Sequence, residues 1–226
     1  MRRTLLGVIF MMLGGCAPGN PGLVIGNVID IDDQCTFSSN SPARLSGVFD
    51  VGVPGNSYEA ALRFGNQLVN LSQSGTAGIP IMADPNVIQV QTVEVELRDI
   101  GGNPLALPGL PNPFAIPAGS VAVPSGDGET AGESLGLVQI IPSAYAAELA
   151  SVAGTDAQIV VAIVAVGTTL GGAEVVSYEF IYPIQLCSGC LTACLMDEEG
   201  MNICRPSCSP GQDTLHLACD LTCSAG

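Results

Sequence analysis

Apolar and polar side chains alternate with a period of two along much of this chain, the pattern of strands buried on one face. Over 44–53, Leu45, Gly47, Phe49, Val51 and Val53 share one side, with Arg44, Ser46 and Asp50 on the other. Over 58–64, Tyr58, Ala60, Leu62 and Phe64 share a side while Glu59 and Arg63 point away. Between these runs, Pro54-Gly55-Asn56 has the composition of a turn, so the two are expected to form a hairpin. An earlier apolar run, 23–31, reads as a first strand ending in Asp30, Asp32 and Asp33.

The stretch 87–99 slips in phase. Ile88 and Val90 alternate with Gln89 and Gln91, whereas downstream it is Val93, Val95 and Leu97 that alternate with Glu94, Glu96 and Arg98. A slip of one residue turns every following side chain to the opposite face unless an extra residue is absorbed. A β-bulge or kink is therefore expected at Gln91-Thr92, with a passage from one sheet to the other as a further option.

Residues 101–133 are rich in Pro and Gly. They read as a long irregular connection with one short strand over 120–123, most exposed at Gly126-Asp127-Gly128-Glu129. A strand follows over 135–141, then a short helix over 144–150 with Ser143 as its cap. The run 159–166 is apolar on both faces, and its length and β-branched content mark a central strand. Gly167 to Gly172 turns the chain. Val176, Tyr178, Phe180 and Tyr182 then alternate with Ser177 and Glu179 on a last strand that runs into Cys187. Seven or eight strands with no alternating helices indicate an all-β fold, an antiparallel immunoglobulin-like β-sandwich with one short helix and a small disulfide-rich C-terminal appendage.

The first sixteen residues carry an address. Arg2-Arg3, an apolar core from Leu5 to Met12, and Leu13-Gly14-Gly15-Cys16 follow in order. The apolar run is about half the ~20 residues of a spanning helix, so it reads as an export signal. The segment resembles the lipobox of bacterial lipoproteins. That resemblance implies removal of residues 1–15, acylation of Cys16, and anchoring to a membrane through its lipid. Ala17 after the cysteine implies, by analogy, the outer membrane, facing the periplasm or the surface. Three acyl chains, each methylene contributing about 0.8 kcal/mol, hold firmly where one does not. The expected organisation is a signal peptide over 1–15, a tether over 16–22, a β-sandwich over 23–186 and a cysteine-rich tail over 187–226. The junction Tyr182-Pro-Ile-Gln-Leu-Cys187 and that tail are similar to uncharacterised surface lipoproteins of myxobacteria, a likeness that implies no activity.

Charge and cysteine count refine this picture. Against 21 acidic residues stand six Arg, and two of these leave with the signal, taking the net charge from −15 to about −17. No nucleic-acid partner is expected, because no basic patch is present to hold phosphates. With Cys16 acylated, Cys35, Cys187, Cys190, Cys194, Cys204, Cys208, Cys219 and Cys223 remain, an even set suited to disulfides in an oxidising compartment. Seven of them lie in the tail, so one bridge is expected to reach Cys35. Cys187 is the favoured partner because it continues the last strand, with Cys190 the alternative. Such a bridge closes a loop of roughly 150 residues, worth about 5 kcal/mol.

Disulfides are favoured over zinc for the tail, and no metal or cofactor is assigned. Cys187-Ser-Gly-Cys190 as a redox motif lacks the βαβ setting such motifs use. Asp30, Asp32, Asp33, Asp127 and Glu129 offer oxygen ligands for calcium, but neither group follows the twelve-residue loop pattern. The one histidine, His216, is expected at the surface. Aromatic residues for a sugar cleft are few. The reading is a non-catalytic structural or interaction module of the cell envelope, with an envelope protein as partner. The alternative is a lipoprotein binding a divalent cation or small ligand.

Overall fold

The computed structural model describes residues 22–32, 36–53, 55–71, 83–154, 156–193, 195–196, 202–203, 212–213 and 216–217. The expected signal, the expected lipidation site Cys16, and Cys35 lie outside these residues. Among the described residues no helix is long and apolar enough to cross a membrane.

In chain order the elements are β1 (Leu23–Ile29), β2 (Ala43–Arg44), β3 (Gly47–Asp50), β4 (Tyr58–Asn66), β5 (Ile88–Arg98), β6 (Phe114–Val123), β7 (Gly132–Ile141), α1 (Ser143–Val152), β8 (Gln158–Thr169), β9 (Glu174–Val176) and β10 (Phe180–Cys187). Four two-residue strands follow in the tail: β11 (Thr192–Ala193), β12 (Leu195–Met196), β13 (Asn202–Ile203) and β14 (His216–Leu217). Two main sheets enclose one apolar core. The first has the order β2-β1-β4-β7. The second has the order β3-β10-β8-β5-β6, with β9 also on β8, and curls into a half-barrel.

The phase slip in β5 is a bulge. Its register shifts between Val90 and Thr92 against both β6 and β8. The extra residue keeps Ile88 and Val90 on the same buried face as Val93, Val95 and Leu97. The strand stays in one sheet throughout, so no crossing occurs. β8 is central as expected, flanked by β5 and β10.

Several expectations fail for identifiable reasons. The proposed hairpin does not form, because β3 joins the half-barrel while β4 lies in the other sheet. β3 runs parallel to β10, so the fold is not purely antiparallel. The run over 44–53 breaks at Leu45, which is 86% exposed, and Asp50 is wholly buried instead of facing water.

The Pro- and Gly-rich stretch hides a ten-residue strand, β6. Pro117 is tolerated because β6 is an edge strand. Gly119, at φ 72°, supplies the left-handed residue where β6 shifts register opposite the β5 bulge. Of the turn expected to be most exposed, Gly126 is buried and bridges to Val69.

Ser143 is not the cap of α1; Pro142 takes that position and makes no side-chain bond. The helix is held by what it covers, since Tyr145, Ala146 and Leu149 are buried. The Tyr145 hydroxyl donates to Pro111 O at 2.7 Å.

The last strand is broken, not continuous. Ser177 turns inward between β9 and β10, and its Oγ accepts the Ala165 N–H at 2.8 Å where a ladder bond would run. Val176 and Tyr178 consequently lie on the exposed side.

Side-chain amides replace strand partners at two places. Asn112 accepts from Leu97 N at 2.8 Å and donates to Leu97 O at 2.8 Å. Gln212 does the same for Glu59, accepting its N–H at 2.7 Å and donating to its carbonyl. An amide carries both a donor and an acceptor, so it satisfies a backbone pair as another strand would.

Candidate functional site

A set of polar groups from distant parts of the chain converges where the tail meets the two-sheet domain. β3 brings Gly47 and Asp50, β4 brings Tyr58, β10 brings Tyr182 and Cys187, and the tail brings Gln212 and Asp213. Gln212 bridges Phe49, and Asp213 donates its N–H to Val48 O at 2.9 Å. The tail therefore covers the outer edge of β3, which would otherwise present unpaired backbone groups.

Asp213 is the centre of one half of this junction. Its Oδ1 accepts Val48 N–H at 2.8 Å and its Oδ2 accepts the Tyr58 hydroxyl at 2.7 Å. Tyr58 and Tyr182 hydroxyls lie 3.1 Å apart, giving a buried chain of hydrogen bonds. Arg44 Nε stands 3.7 Å from Asp213 and its guanidinium also pairs with Asp30. Asp213 holds a left-handed backbone, φ 57°, a conformation that aspartate adopts more readily than most residues. Gly47 makes room for this arrangement: a Cβ there would lie 2.0 Å from the Tyr58 hydroxyl oxygen.

Burial sets the proton affinities. It pushes Tyr58 well above the ordinary phenol range, and the neighbouring Asp213 carboxylate adds to the effect. Tyr182 is raised chiefly by burial too. Burial works against the charge of Arg44, but its bond to Asp30 and the nearby Asp213 outweigh that and hold it up. Burial raises Asp213 above the usual carboxylate value, against the lowering effects of Tyr58, Val48 and Arg44.

The sign of the pH dependence follows. Between the ordinary aspartate pKa and the raised folded value, the folded state binds more protons, so this contribution to stability is full at low pH and falls as pH rises. Replacing Asp213 with Asn is expected to remove it. The unfolding free energy at about pH 7 minus that at about pH 4 then becomes more positive than in the unsubstituted protein. Denaturant melts of both proteins across that range would check this.

Asp50 organises the other half. It is fully buried. Its Oδ1 accepts N–H groups of Gly52 at 2.9 Å and Gly189 at 2.8 Å, and its Oδ2 accepts Leu191 N–H at 3.0 Å. The carboxylate thus ties the Cys187–Cys190 loop to β3, beside the Val51 N–H bond to Cys187 O at 2.8 Å.

Cys187 and Cys190 are bonded to each other, which overturns the expected bridges from either of them to Cys35. The closed loop spans a sequence separation of 3. Its chain-entropy worth is about 2 kcal/mol, far below a long-range closure. Converting both cysteines to Ala should cost about that amount in a denaturant melt, and a loss of twice that would show a larger role. Cys194, Cys204, Cys208, Cys219 and Cys223 lie outside the described residues, as does the His216 side chain.

Asp50, Cys187 and Cys190 place their ligand atoms within 4.8 Å of one another, a geometry suited to a cation. The sulfurs are consumed by their mutual bond and the carboxylate by three amides, so this set acts as a fastening. The calcium candidates are dispersed. Asp30 pairs with Arg44, and Asp32 accepts from Thr36. Asp127 Oδ1 accepts Glu129 N–H at 2.9 Å and Thr130 N–H at 2.7 Å, and these turn bonds hold its carboxyl below the usual range. The register of β1 on β4 puts Asp30 and Asp127 at opposite ends of that sheet. Asp33 lies outside the described residues.

Periodicity pointed Asp50 to solvent and gave no role to Gln212 or Asp213. Only the cluster of Cys residues around them signalled that the tail needed holding. No family model matches the chain, and neither a curated protein nor a solved structure matches it.

Proposed function

We propose that this chain is a lipid-anchored protein of the cell envelope, a non-catalytic structural or interaction module held to the membrane by acyl chains on Cys16. The observation that carries this reading is the ordered leader, Arg2-Arg3, the apolar core and Leu13-Gly14-Gly15-Cys16. The Cys187–Cys190 bridge supports it, because disulfides persist where thiols are not kept reduced. The buried Asp50 carboxylate and the half-buried Asp213 carboxylate support a non-catalytic role, since each accepts hydrogen bonds from the chain's own groups.

The domain is further proposed to be an immunoglobulin-like sandwich. Taking β1, β4 and β7 as strands A, B and E, and β6, β5, β8 and β10 as C′, C, F and G, gives the order A-B-E against C′-C-F-G, that of the variable-type fold. β3 is then an added strand beside G. α1 occupies the E-to-F connection.

Metabolic labelling with a palmitate analogue, followed by membrane fractionation, tests the anchoring. The label is expected on the full chain and absent from a Cys16→Ala variant. An unlabelled protein retaining residues 1–15 in the cytosol would end this reading.

A further inference from the structure

The curled sheet carries an apolar strip on its outer face. Along β8, Ile159, Val161, Ile163 and Ala165 enter the core, while Val160, Ala162, Val164 and Val166 take the opposite face. Their ladder neighbours complete the strip: Ile181 and Pro183 on β10, Val176 on β9. Val176, Tyr178 and Ile181 are 45%, 53% and 47% exposed, Val176 and Ile181 in the strands and Tyr178 in the link between them. Exposed apolar groups gathered in this way mark contact surfaces more often than scattered ones do.

Acid surrounds the strip. Glu94 and Glu96 stand opposite Val164 and Ala162 on β5, and Glu174 and Glu179 flank the β9 side. Arg98 is the basic side chain on this face of β5. It bonds Glu96 and forks to both Glu179 oxygens at 2.9 and 2.6 Å, so its charge is already matched. That fork runs from β5 across β8, where Ala162 is buried, while Tyr178 and Ile181 remain exposed. Two copies of this face would oppose like charges, and anionic lipid head groups would be repelled equally. The complement is apolar and cationic.

We infer that this face docks a segment of a partner protein whose apolar side chains are flanked by Lys or Arg. This rests on the interaction-module reading and names its contact surface. The apolar strip would supply affinity and the four carboxylates orientation and capture rate.

The test uses the full chain and two labelled synthetic peptides, one alternating Val or Tyr with Lys and one with Ser in place of the apolar residues at equal charge. Fluorescence anisotropy is expected to show tighter binding of the apolar peptide. The Tyr178→Ser/Ile181→Ser variant should weaken it about ten-fold with an unchanged melting temperature. Glu94→Gln/Glu174→Gln should flatten its dependence on salt. No binding, equal affinity for both peptides, or binding untouched by Tyr178→Ser/Ile181→Ser would overturn the proposal. Binding lost instead on Ile100→Ser, at an exposed apolar residue in the turn after β5, would also overturn it, while leaving the interaction reading to another surface. Acylation of Cys16 is read separately, so failure on this face is distinct from failure of the anchored-module reading.

Discussion

Replacing Asp50 with Ala is expected to lower stability by about 3–5 kcal/mol, because it removes the buried carboxylate that accepts the N–H groups of Gly52, Gly189 and Leu191. For a chain of this size that is a fall in melting temperature of roughly 10 °C. Asp50→Asn should rescue little. Its amide offers one acceptor oxygen, which can serve Gly52 and Gly189, but turns a donor toward Leu191 N–H at a position where Oδ2 now accepts at 3.0 Å. Calorimetry measures the global loss. Amide hydrogen exchange at Gly189 and Leu191 separates release of the loop from unfolding of the domain. A variant within about 1 kcal/mol of the parent would show that the carboxylate is not the anchor of this loop.

Tyr58→Phe is expected to cost about 2–3 kcal/mol although it removes a single oxygen. That oxygen donates to Asp213 at 2.7 Å and lies 3.1 Å from the Tyr182 hydroxyl, so its loss takes the shortest hydrogen bond from Asp213 Oδ2, which keeps Gln212 Nε2 at 3.4 Å, and a partner from the buried Tyr182 hydroxyl. Because the groups act as one network, the loss should not add to that of Asp213→Asn. A double-mutant cycle read by denaturant unfolding checks this. Strict additivity would mean that the Tyr58 hydroxyl acts independently of Asp213, through its contact with the Tyr182 hydroxyl.

Both predictions concern residues on which local pattern was silent or misleading. Asp50 sits at an alternation position that, read alone, faces water. It is buried because β3 pairs in parallel with β10 and the tail closes over its edge. Gln212 and Asp213 lie more than 150 residues from the strands they bind. Nothing in their own neighbourhood records that contact. Cys187 illustrates the same limit from another side. Counting thiols suggested a distant partner, whereas the Asp50 carboxylate and Gly189, at φ 74°, fold the loop so that Cys190 is the nearer one. By contrast the β5 bulge was legible, since a phase slip within one strand is a local property.

β6 shows how composition can mask pattern. Pro117 and Gly119 read as breakers, yet an edge strand tolerates the first and a register shift needs the second. The tyrosine, serine and valine of the β9–β10 break were likewise assigned to the wrong faces, because a single inward Ser177 displaces the alternation by one.

From the linear chain alone come the β-rich class, the central place of β8, the bulge in β5, the short helix before β8 and the expected export signal. Each depends on side-chain periodicity or on residues a few positions apart, which a chain displays whatever it later packs against. Tertiary structure alone decided the parallel partner of β3, the burial of Asp50, the seating of Gln212 and Asp213, the Cys187–Cys190 bridge and the exposed strip of Val176, Tyr178 and Ile181. The physical reason is that a period of two reports that a strand is half-buried but not which neighbour buries it. That choice is made by hydrogen bonds and packing between segments far apart in sequence.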